Sequence, residues 1–359
     1  MQERSGSVQR FLLASAALAA TGVATVQASS WLAEPGSARI PATVAAALAV
    51  GAGIVAVYWA VDAAVDLLPP RLARAVRPWA FFGPAFLLVL LFLLYPVAST
   101  IWLSLHDATG ETFVGAANYR FIATDASMRR SILNTVAWIV VVPAVSVAIG
   151  LAFATLTNRL RRGEPIAKSV VFMPMAVSLV GASVIWNLVY EFRPEGFGEQ
   201  VGLLNGILNA AGAAPVAWKQ VAPWNNLLLM VILVWVQTGF ATVVLSAAIK
   251  AVPVEQLEAA RLDGASELQV FRTIIVPSIR GTLAVVGVAI LIAVLKIFDV
   301  VYVMTRGQWG TEIVAERMIQ WFFTFRDDGR GAAIAVVLFL AVVPVMVADI
   351  RRTRRTESA

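Results

Sequence analysis

Eight apolar stretches divide this chain, near residues 11–33, 41–61, 79–105, 134–157, 168–190, 224–249, 282–304 and 332–349. Each approaches the ~20 residues that a helix needs to cross a bilayer. Hydrocarbon offers no water to an unpaired amide, so such a stretch must satisfy its own backbone, and a helix does so within one segment. With 59% hydrophobic and 14% charged residues, the 359-residue chain is too apolar for a soluble domain. The expectation is an all-α polytopic membrane protein with about eight transmembrane helices. Arg4 and Arg10 before an Ala-rich run, with Val26 and Ala28 in a small-residue pattern, also suit a signal peptide. The run is longer than a usual signal core, which favours a retained helix.

Cysteine is absent, which excludes disulfides, thiolate metal sites and cysteine nucleophiles. His106 stands alone, and one histidine beside a membrane boundary reads as a hydrogen-bonded interfacial side chain rather than a metal ligand. No metal and no cofactor is expected. The net charge of +6 raises the question of nucleic acid, but its distribution answers to orientation instead. Taking the 250–281 loop as inside, the inner segments, from Arg4 and Arg10 through Arg71, Arg159, Arg161 and Lys250 to Arg352, Arg354 and Arg355, hold 17 of the 28 lysines and arginines. The longer outer segments, which include Arg39, hold ten. This places both termini in the cytoplasm. Trp79, Trp102, Trp138, Trp186, Trp224 and Trp309 fall near span ends, where indoles anchor in the headgroup layer.

The polar island between residues 250 and 281 reads as two short helices with a bend. Pro253 can begin the first without wasting an amide, and Val254, Leu257 and Leu262 form a one-sided apolar stripe. Gly264 is a stop, Ser266 with Gln269 makes a capping box, and Leu268, Phe271 and Ile275 form the second apolar face before Pro277. By itself this is also what a solvated amphipathic loop on a membrane surface looks like.

The spacing resembles something more specific. Glu258-Ala259-Ala260, Gly264, Ile274, Val276 and Pro277 stand as in the EAA loop of binding-protein-dependent ABC importer permeases, with Val276 where that family usually has Leu. The resemblance implies a six-helix permease core and a cytoplasmic coupling helix that docks on a separate ATPase, with Glu258, Ala259, Ala260, Asp263, Gly264 and Pro277 serving that interface. Lys296 to Asp299, Tyr302 to Thr305 and Gly307 look like the carbohydrate-specific members. Gly310 to Met318 and Gly331 to Val337 are similar to the alpha-glucoside branch, which handles maltose, trehalose and sucrose. The large external insert of the enteric maltose permease has no counterpart, and several of its sugar-contacting polar positions fall here on apolar residues.

The resemblance covers about 75–350, the permease domain, leaving 1–70 as an N-terminal transmembrane hairpin and 351–359 as a basic tail. It implies, as partners, an ATP-binding subunit dimer, a second permease, an extracytoplasmic solute-binding protein, a sugar and membrane lipid, in a bacterial or archaeal cell membrane. No phosphate-binding Gly-x-x-x-x-Gly-Lys-Ser/Thr occurs, so the chain is expected to be a conduit and not an enzyme. Gln237 and Phe240 fall where the family places sugar contacts, and Asn187 is a further candidate. Lys296 and Asp299, on one helical face of a continuous span, read either as a structural ion pair or as pathway groups. They also suit an ion-coupled secondary transporter, a reading that leaves the Glu-Ala-Ala pattern unexplained. A scaffold without transport, and a permease for another small solute such as glycerol phosphate, are the remaining readings. The 191–223 loop, with an amphipathic piece at 203–210, is either a lid and docking surface or a re-entrant cover.

Overall fold

A computed structural model describes residues 2–33, 39–160 and 162–357. Arg161 and the side chains of Arg4, Arg39, Arg352, Arg354 and Arg355, used in the charge count, lie outside the described residues. The chain divides into two compact units, Met1–Ser99 and Thr100–Ala359.

In the first unit, α1 (Gln2–Ala33) and α2 (Arg39–Val65) pack as a hairpin, followed by α3 (Pro70–Val89). Gly53 of α2 lies within van der Waals reach of Thr21 of α1, and the Thr25 hydroxyl donates to Thr21 O at 2.8 Å. Returning hydroxyls to the helix's own carbonyls hides them from lipid. Arg77 of α3 pairs with Asp62 of α2 and with Asp66 in the turn after it, and Tyr58 stacks on Phe81.

A π-helical turn at Leu90–Leu94 precedes α4 (Tyr95–Leu103). Tyr95 N–H donates to Leu90 O, five residues back, just ahead of Pro96. Proline lacks the amide for the next bond and its ring crowds the carbonyl four residues earlier, so the wider turn accommodates it.

In the second unit, α5 (Ala117–Thr124) leads into α6 (Ala126–Asn158), which Asp125 caps by accepting from Met128 N–H at 2.9 Å. Next come α7 (Glu164–Phe172), α8 (Leu179–Val189), the short α9 (Leu203–Ala210) and α10 (Trp224–Lys250). The centre of the core is α10 against α6: a Cβ on Gly150 would lie 2.4 Å from that of Ala241, so glycine sets how closely these helices approach. Trp138, Val142, Leu233, Leu245, Val286 and Ile290 are buried around that contact.

The polar loop forms α11 (Val254–Leu262), α12 (Glu267–Val270), a π-helical turn at Phe271–Ile275 ahead of Pro277, and α13 (Val276–Ser278). Then follow α14 (Arg280–Leu295), α15 (Asp299–Met304), α16 (Val314–Ile319) and α17 (Asp328–Glu357).

The all-helical expectation holds among the described residues. Among the described residues, five helices are long and apolar enough to cross a membrane, and counting two bent pairs as spans makes seven. The stretch expected at 332–349 lies in α17, some of whose side chains fall outside the described residues.

Two expected straight spans are broken. Residues 164–189 bend by 99°. Met173–Ala176 tightens around Pro174, Val177 is extended, and Ser178 starts a new helix by accepting from Gly181 N–H at 3.0 Å. The 282–304 stretch ends its helix at Leu295 and restarts at Asp299, with Phe298 at φ −131°.

Candidate functional site

Three places carry chemistry: the 254–278 knob, the middle of α10, and the opposite end of α10. At the knob, Gly264 takes φ +85°, a left-handed geometry that stops α11 at little cost only for glycine. Ser266 accepts from Gln269 N–H, and Ser266 N–H donates to Gln269 Oε1 at 2.7 Å, the capping box that the sequence announces. Arg261 Nε donates to Glu267 Oε1 at 2.8 Å, fixing α11 against α12 across the bend.

The exposed face carries Glu258, Ala259, Asp263 and Gly264, with Ala260 half-buried. The apolar stripe does not behave as one: Leu257 packs on the core, but Val254 is 54% exposed and Leu262 89%. Leu262 sits at the very end of α11, where the helix turns away from the chain's own core.

Behind the knob, a polar cluster ties three helices together. Glu164 of α7 accepts from Lys168 and from Lys250 of α10, each at 2.5 Å. Lys168 also donates to Asn158 Oδ1 of α6 at 3.0 Å and to Ser246 of α10. Arg159, next along, reaches Glu267 of α12 at 3.5 Å. Sequence reading missed this cluster because its members lie on separate helices.

In mid-span, Gln237 is the central residue of the 27-residue α10, about 20 Å from either end at 1.5 Å per residue. It is half-buried, and none of the hydrogen bonds found among the described residues involves its amide. Phe240, also half-buried, shares its face. The opposite face presents Trp235 and Thr238 to an apolar cavity of 370 Å³ shared with Trp186 and Phe153. Asn187 is engaged elsewhere: its Oδ1 accepts from Lys219 Nζ at 2.7 Å, and burial holds the Lys219 pKa below the usual lysine range.

Lys296 and Asp299 require a correction. Their pairing on one face assumed a continuous helix, but Lys296 caps α14 and Asp299 opens α15 across a non-helical Phe298. No salt bridge joins them among the described residues. One further side chain differs from expectation. Trp138 is fully buried and donates to Asn226 Oδ1 at 2.7 Å, whereas Trp79, Trp102 and Trp224 are more than 60% exposed as anchors should be. His106 behaves as expected, bonded through Nδ1 to Trp102 O at 2.7 Å and stacked on that indole.

At the far end of α10, the loop after α15 folds back on α6. Asn134 donates to Gly310 O and Glu312 O, both at 2.8 Å, and Asn225 donates to Trp309 O at 2.9 Å. Glu312 is buried beside Arg130 and Arg317, at 3.6 and 3.7 Å.

Known proteins share this architecture. The chain is 47% identical over 329 residues, 87% of its length and 97% of the other's, to the alpha-glucoside transport system permease protein AglF of Rhizobium meliloti. It is 47% identical over 277 residues to the osmoprotective compounds uptake permease protein GgtC of Synechocystis, covering 77% of this chain and 99% of that one. With the trehalose/maltose transport system permease protein MalF of Thermococcus litoralis it shares 31% over 265 residues, 72% of this chain and 88% of that one. In fold it matches a chain from the crystal structure of a bacterial ABC transporter that imports alginate, with a TM-score of 0.68 at 19% identity over 79% of this chain and 99% of that one. The family model described as binding-protein-dependent transport system inner membrane component covers residues 146–351. With that match and these identities, the chain is a multi-pass membrane protein that belongs to the binding-protein-dependent transport system inner membrane component family.

Proposed function

We propose that this permease carries an alpha-glucoside disaccharide of the maltose, trehalose or sucrose type. It would form half of a translocation pathway with a second permease, receive sugar from an extracytoplasmic binding protein, and be driven by an ATP-binding subunit dimer seated on α11. The observation that carries the reading is Gln237. An amide at the middle of a spanning helix with no hydrogen-bond partner among the described residues belongs beside a wet cavity or a substrate, because hydrocarbon penalises an unpaired polar group. Phe240 on the same face supplies the apolar wall that a sugar ring needs, and both face away from the apolar cavity at Trp235. The substrates in the names of the Rhizobium and Thermococcus relatives support the sugar class. Asn187, bonded to Lys219, is a weaker candidate for the path.

For coupling, Glu258, Asp263 and the bare Leu262 on α11 offer an ATPase cleft charge and an apolar anchor, and Gly264 holds the turn beneath them. Coupling through Gly264 predicts that Gly264→Trp assembles but loses sugar-stimulated ATP hydrolysis. The excess of cations on the α11 side supports a cytoplasmic position for that side and for both termini. An impermeant thiol reagent should label a cysteine at Gly198 in intact cells and miss one at Ser266.

The deciding experiment is uptake into proteoliposomes of the complete transporter, offering maltose, trehalose and sucrose with the binding protein. Gln237→Ala and Phe240→Ala should each impair uptake while the sugar-loaded binding protein still stimulates ATP hydrolysis. Transport of none of these sugars, with uptake of an osmoprotective compound instead, would replace the substrate assignment.

A further inference from the structure

The end of α10 away from the coupling knob holds a cavity of 660 Å³, walled by Arg130 and Asn134 of α6, Asn226, Leu227 and Met230 of α10, and Trp309. Its size falls within the range of small-molecule sites. Trp309 is the unusual member. It takes φ +57° and ψ 28°, a left-handed conformation that a bulky residue rarely adopts. Three hydrogen bonds hold the segment there: Asn225 to Trp309 O at 2.9 Å, and Asn134 to Gly310 O and Glu312 O at 2.8 Å each. Strain fixed this firmly, with the indole left 43% exposed, serves to present the ring. Opposite, the Asn226 carbonyl is pinned by Trp138 Nε1 at 2.7 Å, and no hydrogen bond among the described residues uses the amide nitrogen. Arg130, its side chain 60% exposed, adds free guanidinium donors, while its countercharge, Glu312, is buried and only 3.6 Å away.

Resting on the sugar-permease reading, we propose that this cavity is a mouth subsite for a neutral saccharide, distinct from the mid-span path at Gln237. An indole face takes the apolar face of a sugar ring, and fixed amide and guanidinium donors take its hydroxyls. Leu227 and Met230 supply the dry floor. The acid nearby is already neutralised by Arg130 and Arg317, so the site selects for hydrogen-bonding capacity rather than charge.

The chain contains no cysteine, so Leu227→Cys introduces a single reporter in the wall. In the assembled transporter in nanodiscs, on a cysteine-free background, saturating trehalose or maltose without the binding protein should slow thiol labelling about threefold or more, a fractional occupancy effect. Glycerol at equal osmolality should not. Protection should survive Trp309→Phe and disappear in Trp309→Ala and Arg130→Gln. Arg130→Gln alters a mostly exposed side chain, which keeps the test informative if Trp309→Ala fails to assemble. No protection by either sugar, or equal protection in Arg130→Gln, overturns the subsite. Protection by the sugar-loaded binding protein alone overturns it too, showing a docking surface instead. Uptake measured in the same preparation separates the two readings: uptake without protection removes only the mouth subsite, and protection without uptake removes only the proposed transport of these sugars.

Discussion

The carboxylate of Glu316 occupies the space that a side chain on residue 307 would need: a Cβ on Gly307 would lie 2.6 Å from Glu316 Oε2 and 2.9 Å from its carboxyl carbon. Gly307 is itself at φ +69°, so the loop after α15 requires glycine both for backbone and for space. Gly307→Ala should therefore destabilise the second unit by roughly 2 kcal/mol or more, combining left-handed strain with displacement of a buried acid. Denaturant titration of the purified protein measures this, and an unchanged midpoint would show that Glu316 moves aside freely.

Glu316 is fully buried, and its Oε2 has no hydrogen-bond partner among the described residues. Burial, reinforced by Glu312, raises its pKa to about 7 against the opposing pull of Arg317 and Gln320. A carboxyl raised on folding keeps its proton longer in the folded state, so stability falls as pH rises from about 4.5 to about 7 and is level on either side. The shift corresponds to roughly 3 kcal/mol. Glu316→Gln should flatten that slope and leave the protein more stable than the parent at pH 8. A stability curve with the same slope in both proteins would place the titration elsewhere.

What was legible in the sequence were features set locally. The capping box at Ser266 and Gln269 and the stop at Gly264 needed only neighbours, and α10 falls at 224–250 against the 224–249 expected from hydropathy. Hydropathy does not register how a span is interrupted. Pro174 and Ser178 together turn one apolar stretch by 99°, and the π-helical turn before Pro96 widens another, although both prolines were in plain view. Period alone could not tell that Leu262 points away from the core while Leu257 packs on it. The polar contacts of Trp138 with Asn226 and of Asn134 with Gly310 join residues 88 and 176 apart, and nothing local announces them.

The break at Phe298 makes a distinct prediction for the two charges beside it. Lys296 and Asp299 sit on different helices with no ion pair between them, so each should act independently. Exchanging them, Lys296→Asp with Asp299→Lys, should recover no more stability or uptake than the two single changes combined. In a double-mutant cycle the coupling should fall within the ~0.5 kcal/mol expected of sites that share no partner. A clearly larger favourable coupling would mean that the two charges meet.

The cluster behind the knob links the 254–278 loop to α6, α7 and α10. Glu164 is the shared countercharge of Lys168 and Lys250, and through Lys168 it reaches Asn158 and Ser246, so one carboxylate holds α6, α7 and α10 at the end where α11 begins. Arg159 and Glu267 continue the chain of contacts into α12. Glu164→Gln leaves two ammonium groups without their shared countercharge. Because Glu164 and Lys168 are each 21% exposed and Lys250 about half, solvent screens much of the loss, and stability should fall only slightly. The larger effect should be on coupling: a push on α11 would no longer move these helices as one body. In proteoliposomes, Glu164→Gln should therefore transport less sugar per ATP hydrolysed, and Glu164→Asp, which keeps the charge, should recover part of the ratio. A ratio unchanged in Glu164→Gln would confine the cluster to a structural role.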